Sequence, residues 1–200
     1  KYGDRLAGCR YELISDAVCR HLSDTRTPQG VTALVKKQET PLEEILARDE
    51  NPCLFLLENL QDPGNMGTIL RTSEGAGVSG IIINRESVDP YNPKVIRSTM
   101  GAIFRMPFVV VDDFEDVLRR LKEAGVRTFA AHLDGEDFYR QDYRGGCAFF
   151  IGNEGNGLSE ELAARADGRI RIPMKGQVES LNAAVAATVL MYKTLRQREW

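Results

Sequence analysis

From residue 52 onward, short apolar runs alternate with segments whose apolar residues return at helical spacing. Cys53-Leu54-Phe55-Leu56-Leu57 and Gly80-Ile81-Ile82-Ile83 are unbroken runs, the pattern of strands covered on both faces. Between them Met66, Ile69 and Leu70 predict a helix. Residues 94–104 predict the next helix and residues 108–111 a third strand. Asp113 is placed to cap a helix over 114–124, closed by Gly125. Residues 127–133 and 148–151 read as the fourth and fifth strands. Ser159 precedes a short helix with Glu160 and Glu161 in its first turn, and 170–172 reads as a sixth strand. Leu181, Val185, Val189 and Tyr192 place a long amphipathic helix that runs to near Trp200. Strands alternating with helices predict an α/β domain with a mostly parallel sheet.

The first 38 residues read differently. Arg10, Arg20, Arg26, Lys36 and Lys37 interrupt short apolar stretches. Thr27-Pro28-Gln29-Gly30 predicts a turn and residues 31–35 a strand. Residues 41–47 read as a short helix or linker, with Thr40 as a candidate N-cap and Glu43 and Glu44 in its first turn. The chain opens on Lys1 rather than Met, so a longer parent protein is expected.

Composition narrows the chemistry. No apolar run is long enough to span a membrane, and no signal peptide opens the chain. Cys9, Cys19, Cys53 and Cys147 lie far apart, which argues against a zinc site or a disulfide framework and for a reducing cytoplasm. The net charge of −3 counts against a protein that coats nucleic acid electrostatically, though not against a local basic site. Lys94, Arg97 and Arg105 form one such cluster, and Arg165, Arg169, Arg171 and Lys175 another; either also reads as a solvated face. His21 and His132 are the only histidines, so the chemistry must run largely without imidazole.

Three segments carry candidate chemistry. Residues 58–72 run from a buried strand through Pro63-Gly64 into a helix, where open α/β sheets bind ligands. Asn65 is a helix cap or a site residue. Arg71 is a surface arginine or a planar fork for phosphate. Residues 149–159 place Gly152, Gly155 and Gly157 close after a strand, forming an ordinary turn or a backbone cradle. Glu154 inside that loop would repel phosphates; it suits a ribose hydroxyl or an arginine. Residues 170–185 end a strand at Pro173, cross a polar loop and open a helix near Ser180 and Asn182, with Ser180 a candidate N-cap.

In this order and spacing, D-P-G-N-M-G-T-I-L-R-T, I-G-N-E-G-N-G-L-S and I-P-M-x-G-x-V-E-S-L-N resemble the three signature motifs of the SpoU (TrmH) family of RNA ribose 2′-O-methyltransferases, in the SPOUT superfamily. The resemblance runs from about residue 52 to the C-terminus and departs at Ala184, where the family carries a small polar residue. It implies an α/β fold, a mostly parallel sheet with helices on both faces, whose C-terminal part is threaded as a deep trefoil knot. It implies S-adenosylmethionine as methyl donor and no metal. The backbone at Gly152, Ile172 and Leu181 would contact that cofactor, with Ile151, Met174 and Leu133 nearby. Arg71, Asn65, Glu154, Ser180 and Asn182 would form the methyl-transfer site.

The resemblance also implies a homodimer, with the active site near the subunit boundary and exposed apolar positions of the last helix in the contact. The T-P-Q-G-V turn and strand resemble the end of a small RNA-binding domain similar to certain ribosomal proteins. Residues 1–40 are therefore expected to be the C-terminal part of an RNA-substrate-binding domain plus linker, and 41–200 the catalytic domain. The expected substrate is RNA, ribosomal in preference to transfer RNA, in the cytoplasm and away from membranes. Competing readings are an RNA-binding factor that keeps the cofactor pocket without catalysis, and a Rossmann-like nucleotide enzyme. The acid at Glu154 and the absent G-x-G-x-x-G fingerprint disfavour the latter.

Overall fold

A computed structural model describes residues 8–23, 25, 27–38 and 40–199; Arg26 and Trp200, named above, lie outside the described residues. The chain divides into one unit that ends at Lys37 and another that begins at Gln38. In the first, α1 (Asp16–Leu22) is capped by the Ser15 hydroxyl, which accepts the Val18 N–H at 3.3 Å. Gly30 adopts the left-handed φ of 81° that the predicted turn needs. Residues 31–35 form no strand, contrary to the expectation: among the described residues they have no ladder partner, and strand propensity without pairing makes no sheet.

The second unit is built on six strands: β1 (Cys53–Leu57), β2 (Gly80–Asn84), β3 (Phe108–Val111), β4 (Arg127–Asp137), β5 (Cys147–Ile151) and β6 (Gly168–Arg171). Every pairing is parallel, in the order β3-β2-β1-β5-β4-β6. β1 lies inside the sheet and is buried along its whole length because both faces are covered. On one face Phe55 and Leu57 pack with α3 (Pro63–Gly75), α4 (Pro93–Ser98) and α7 (Ala183–Glu199). On the other, Leu54 and Leu56 pack with α2 (Leu42–Leu46), α5 (Glu115–Glu123) and α6 (Glu160–Ala164). Phe149 stacks between Phe55 at 5.1 Å and Phe129 at 5.7 Å, with Tyr143 edge-on to it at 5.1 Å. No described helix is long and apolar enough to cross a membrane.

Several boundaries differ from expectation for local reasons. The cap of α3 is Asp62, whose Oδ1 accepts the Asn65 N–H at 2.8 Å, with Pro63 pre-set for the first turn. Asn65 is thus not the cap, and its side chain is free for other work. Pro41 rather than Thr40 holds the N-cap of α2, with no side-chain bond. The single helix expected over 94–104 breaks after Ser98. Met100 (φ 51°) and Gly101 (φ 87°) turn the chain before a 3₁₀ turn at Ala102–Phe104. Asp113 does accept the Glu115 N–H, at 2.8 Å, while Phe114 takes the N-cap position. Ser159 caps α6 as expected. β4 runs past 133 because an irregularity between Ala131 and Glu136 re-registers it against β6; β6 ends at Arg171, which leaves Ile172 outside. Asn182, not Ser180, caps α7: its Oδ1 accepts the N–H groups of Ala184 and Val185 at 2.9 and 3.3 Å.

The α3–α4 contact is set by Gly67. A Cβ there would lie 2.5 Å from the Ser98 Cβ and 2.9 Å from the Val95 carbonyl oxygen. Alanine would gain about 1 kcal/mol of helix propensity, against an overpacking cost of about 1–3 kcal/mol. Because backbone must move to admit it, Gly67→Ala is expected to lower stability, read as a lower urea midpoint at unchanged slope.

Candidate functional site

Two of the three segments singled out in the sequence leave the sheet side by side, after β1 and β5, and the third follows β6 at the sheet edge. Leu57 and Ile151 are register partners at the ends of β1 and β5, and the Glu58 N–H donates to the Ile151 carbonyl at 2.9 Å. From there residues 58–62 lead into α3 and residues 152–159 toward α6. The chain beyond β6 reaches α7.

One carboxylate joins the first two. Glu154 Oε2 accepts the Gln61 N–H at 3.0 Å, and Oε1 accepts the Asp62 N–H at 2.9 Å and the Asn65 side-chain amide at 2.9 Å. The third joins through Asn182, whose Nδ2 donates to Asn65 Oδ1 at 2.9 Å. Partial burial pushes the Glu154 carboxyl up. The bonds from the Asn65 amide and the Gln61 and Asp62 N–H groups outweigh it and hold the group below the ordinary glutamate range.

The loop after β5 is shaped from within. Asn153 Oδ1 accepts the N–H groups of Gly155 and Asn156 at 2.9 and 3.0 Å. The backbones of Asn153 and Gly157 exchange two bonds of 2.9 Å. This fold brings Gly152 so close to the returning strand that a Cβ would sit 2.2 Å from the Leu158 nitrogen. Glu58 ties the far end down: its carboxylate accepts the Ser159 N–H at 2.7 Å and hydroxyl at 2.6 Å.

Beside this junction lies a cavity of about 330 Å³. Leu133, Ile151, Gly152, Ile172, Ser180 and Leu181 line it, and Glu154 stands at its rim. Its walls are mixed, apolar at Leu133, Ile151, Ile172 and Leu181 and polar at Asn153, Glu154 and Ser180. Among the described residues, no hydrogen bond ties residues 173–181 to the rest of the chain. Backbone donors and acceptors at Ser180 and Leu181 are therefore available to a ligand, and apolar walls with a few polar groups suit a nucleoside. No group of described His, Cys, Asp or Glu residues is arranged to hold a metal ion.

Of the residues expected at the site, Asn65, Glu154 and Asn182 form one bonded chain, and Ser180 faces the cavity with Ile151, Gly152, Ile172, Leu181 and Leu133. Met174 does not line it. Arg71 is exposed on α3, about 120° around the helix from Asn65 at 3.6 residues per turn. Its side chain makes no hydrogen bond or ion pair with any described residue. Sequence reasoning passed over Asp62, Asn59, Asn84 and Ser87, which shape the first loop. The Asp-Pro pair was a readable helix start; the remaining three are separated in sequence and carry no local signal.

The chain is similar to known methyltransferases over most of its length. Residues 52–192 match the model of the SpoU rRNA Methylase family. The chain is 32% identical over 190 residues to the 23S rRNA (guanosine(2553)-2′-O)-methyltransferase RlmP of Bacillus subtilis (strain 168), covering 94% of this chain and 74% of that protein. It is 35% identical over 177 residues to the 23S rRNA (guanosine-2′-O-)-methyltransferase RlmB of Vibrio cholerae, covering 85% and 71%. The crystal structure of an AdoMet-bound rRNA methyltransferase from Sinorhizobium meliloti superposes with a TM-score of 0.85 at 35% identity, covering 91% of this chain and 70% of that one.

The lowered Glu154 group gives a stability signature. Its contribution is complete above the ordinary glutamate value of 4.5 and is lost as pH falls through the lower folded value. Glu154→Gln removes that titration. Urea unfolding at descending pH is expected to show wild type modestly ahead of the variant at neutral pH, since the group is largely exposed, and the gap closing below pH 4.5. A gap that ignores pH would mean the ionised carboxylate is not what holds the loops.

Proposed function

We propose, for a chain that belongs to the SpoU rRNA Methylase family and is an S-adenosylmethionine-dependent RNA 2′-O-methyltransferase, that its substrate is ribosomal RNA and that Asn65, Arg71, Glu154, Ser180 and Asn182 form the methyl-transfer site. The observation that carries this reading is the Glu154–Asn65–Asn182 chain of hydrogen bonds beside the cavity. The cavity fits the cofactor: apolar walls at Ile151 and Leu133, and backbone groups at Gly152, Ile172 and Leu181 to bind a purine edge. Met174, on the loop between β6 and α7, is kept nearby in that set, although it does not line the cavity itself. When bound, S-adenosylmethionine supplies a methyl group already activated on a sulfonium sulfur.

The chain's own residues have to place a ribose 2′-oxygen and deal with its proton. Alignment alone contributes up to about 7–11 kcal/mol in ideal cases. Glu154 has three of roughly four acceptor positions filled by N–H donors. It is therefore an anchor with one place left, on Oε2, for a ribose hydroxyl. A guanidinium is a poor base, so Arg71 grips the phosphate beside the target ribose and stabilises charge developing on the 2′-oxygen. That phosphate or water takes the proton.

Since Arg71 and Asn65 face apart on α3, the reading includes a homodimer in which a second copy's Arg71 completes the site. Val185 and Tyr192, half exposed on α7, are available for that contact. Residues 1–40 serve as the end of an RNA-binding domain with its linker, residues 41–200 as the catalytic domain, and the enzyme works in the cytoplasm. The reading also carries the family's C-terminal trefoil knot, which comes with membership of the family.

The test is a map of 2′-O-methyl positions in total RNA from cells with and without the protein, paired with transfer assays on purified rRNA and tRNA. A position lost from tRNA alone would transfer the assignment to tRNA; cofactor binding without transfer would point to a silent RNA-binding factor. Arg71→Ala is expected to lower kcat by about 10²–10³, as loss of one charge-stabilising donor does. Arg71→Lys should recover only part, because an ammonium cannot grip in two-point fashion. Unchanged transfer by Arg71→Ala would remove the arginine from the mechanism.

A further inference from the structure

Four consecutive backbone N–H groups leave β1 without a backbone acceptor, and each is taken by a side chain. The Asn59 N–H goes to Asn84 Oδ1 at 2.8 Å and the Leu60 N–H to the Ser87 hydroxyl at 2.9 Å. Those of Gln61 and Asp62 go to Glu154. Asn84, at the end of β2, is buried and engaged through both its amide oxygen and its amide nitrogen. Its Oδ1 also accepts the Ser87 hydroxyl at 2.7 Å, and its Nδ2 donates to Asn59 Oδ1 at 2.7 Å. Asn59 sits at φ 53°, a conformation rare for a residue with a side chain, and its two bonds to Asn84 hold it there. Its carbonyl accepts the Asn153 amide at 2.8 Å, and Asn153 shapes the loop that carries Glu154.

We infer that Asn84 is a positioning residue for methyl transfer, acting through Asn59 to set the 59–62 turn and, with Asn153, the seat of Glu154. The inference rests on the functional reading above for its link to catalysis. It does not rest on it for the geometry. Nothing in the three signature segments contains Asn84, which lies between the first and second of them. Its side chain never faces the cavity, so it touches neither ligand and acts only by fixing where Asn65 and Glu154 stand.

The experiment compares Asn84→Ala, Ser87→Ala, Asn59→Gly and Asn59→Ala in the full chain. Three readouts are taken: the thermal midpoint, kcat and KM for transfer to rRNA, and the carboxyl titration of Glu154 followed by carbon-13 NMR. A folded Asn84→Ala is expected to lose about tenfold to a hundredfold in kcat, the scale of a small misplacement, with KM for RNA little changed. The Glu154 titration should move up toward the ordinary glutamate range. Asn59→Gly should keep more activity than Asn59→Ala, since glycine accepts the left-handed turn. Ser87→Ala deletes one hydroxyl and is expected to shift the same readouts less far; it decides the matter if Asn84→Ala does not fold. A folded variant with kcat within about twofold of wild type and an unmoved titration overturns the inference. If wild type transfers no methyl group to any RNA, the functional reading fails instead, and the titration still decides the positioning role without a substrate.

Discussion

The carboxylate of Glu154 is the constraint on which the site's geometry depends. The chain leaving β1 must turn from sheet to helix within five residues, 58–62, and has no backbone partner for the N–H groups of 59–62. Of these residues only Leu60 is buried, so the side-chain acceptors for Asn59, Gln61 and Asp62 fix the shape of the turn more than they avoid a desolvation cost. Here the acceptors come from the ends of β2 and β5, far away in sequence. The turn is therefore correct only when three strands are already paired. The same carboxylate takes the Asn65 amide, so the first turn of α3 is fixed by the loop after β5. Through Asn182 the cap of α7 is fixed as well. Local structure and tertiary pairing are set by one group of atoms.

The parallel sheet makes this convergence natural. In a parallel array all strands deliver their following loops to the same end, and the central strands deliver them closest together. β1 and β5 are neighbours though some ninety residues separate Leu57 from Ile151. With both faces of the sheet covered, the loops cannot collapse onto a hydrophobic core and must satisfy one another with side chains. That explains the density of Asn, Asp, Glu and Ser at this end: Asn59, Asp62, Asn65, Asn84, Ser87, Asn153, Glu154 and Asn182 all make bonds to another of these segments or to their own turn. A ligand bound in the adjoining cavity touches loops that exist only in the folded arrangement, so its binding free energy adds to their stability by mass action.

Much of the architecture was legible in the chain. Continuous apolar runs such as 53–57 marked strands buried on both faces, and the alternation with helices marked a parallel sheet. The Ser159 cap was readable because a cap is a local device, whereas Asp113 accepts the Glu115 N–H from one residue ahead of the Phe114 cap position. What failed needed tertiary information. Residues 31–35 have strand propensity but no described partner, and 94–104 carried helical spacing across a turn that Met100 and Gly101 interrupt. Asn65 was placed as a possible cap because Asn favours that role, whereas Asp62 three residues earlier does it and leaves the Asn65 amide to Glu154. The cavity-lining residues were named through resemblance to a family, since periodicity says nothing of which loops meet. Asn84 and Ser87 had no signal at all.

The distribution of spare hydrogen-bonding capacity separates scaffold from chemistry. Asn65 has its amide oxygen on Asn182 and its nitrogen on Glu154; Glu154 has three N–H donors; Asn182 caps α7 with its oxygen and spends its nitrogen on Asn65. These three groups are stiff and largely saturated, which suits placing a ribose and ill suits moving a proton. The side chains of Ser180 and Arg71 are the opposite: exposed, and without a hydrogen bond to any described residue. Arg71 keeps all five guanidinium donors. Six residues along α3 from Asn65, it stands about 120° around the helix from the anchored network. One helix therefore carries a saturated face and a face with donors left over, and the proposed transfer site divides these two properties between Asn65 and Arg71.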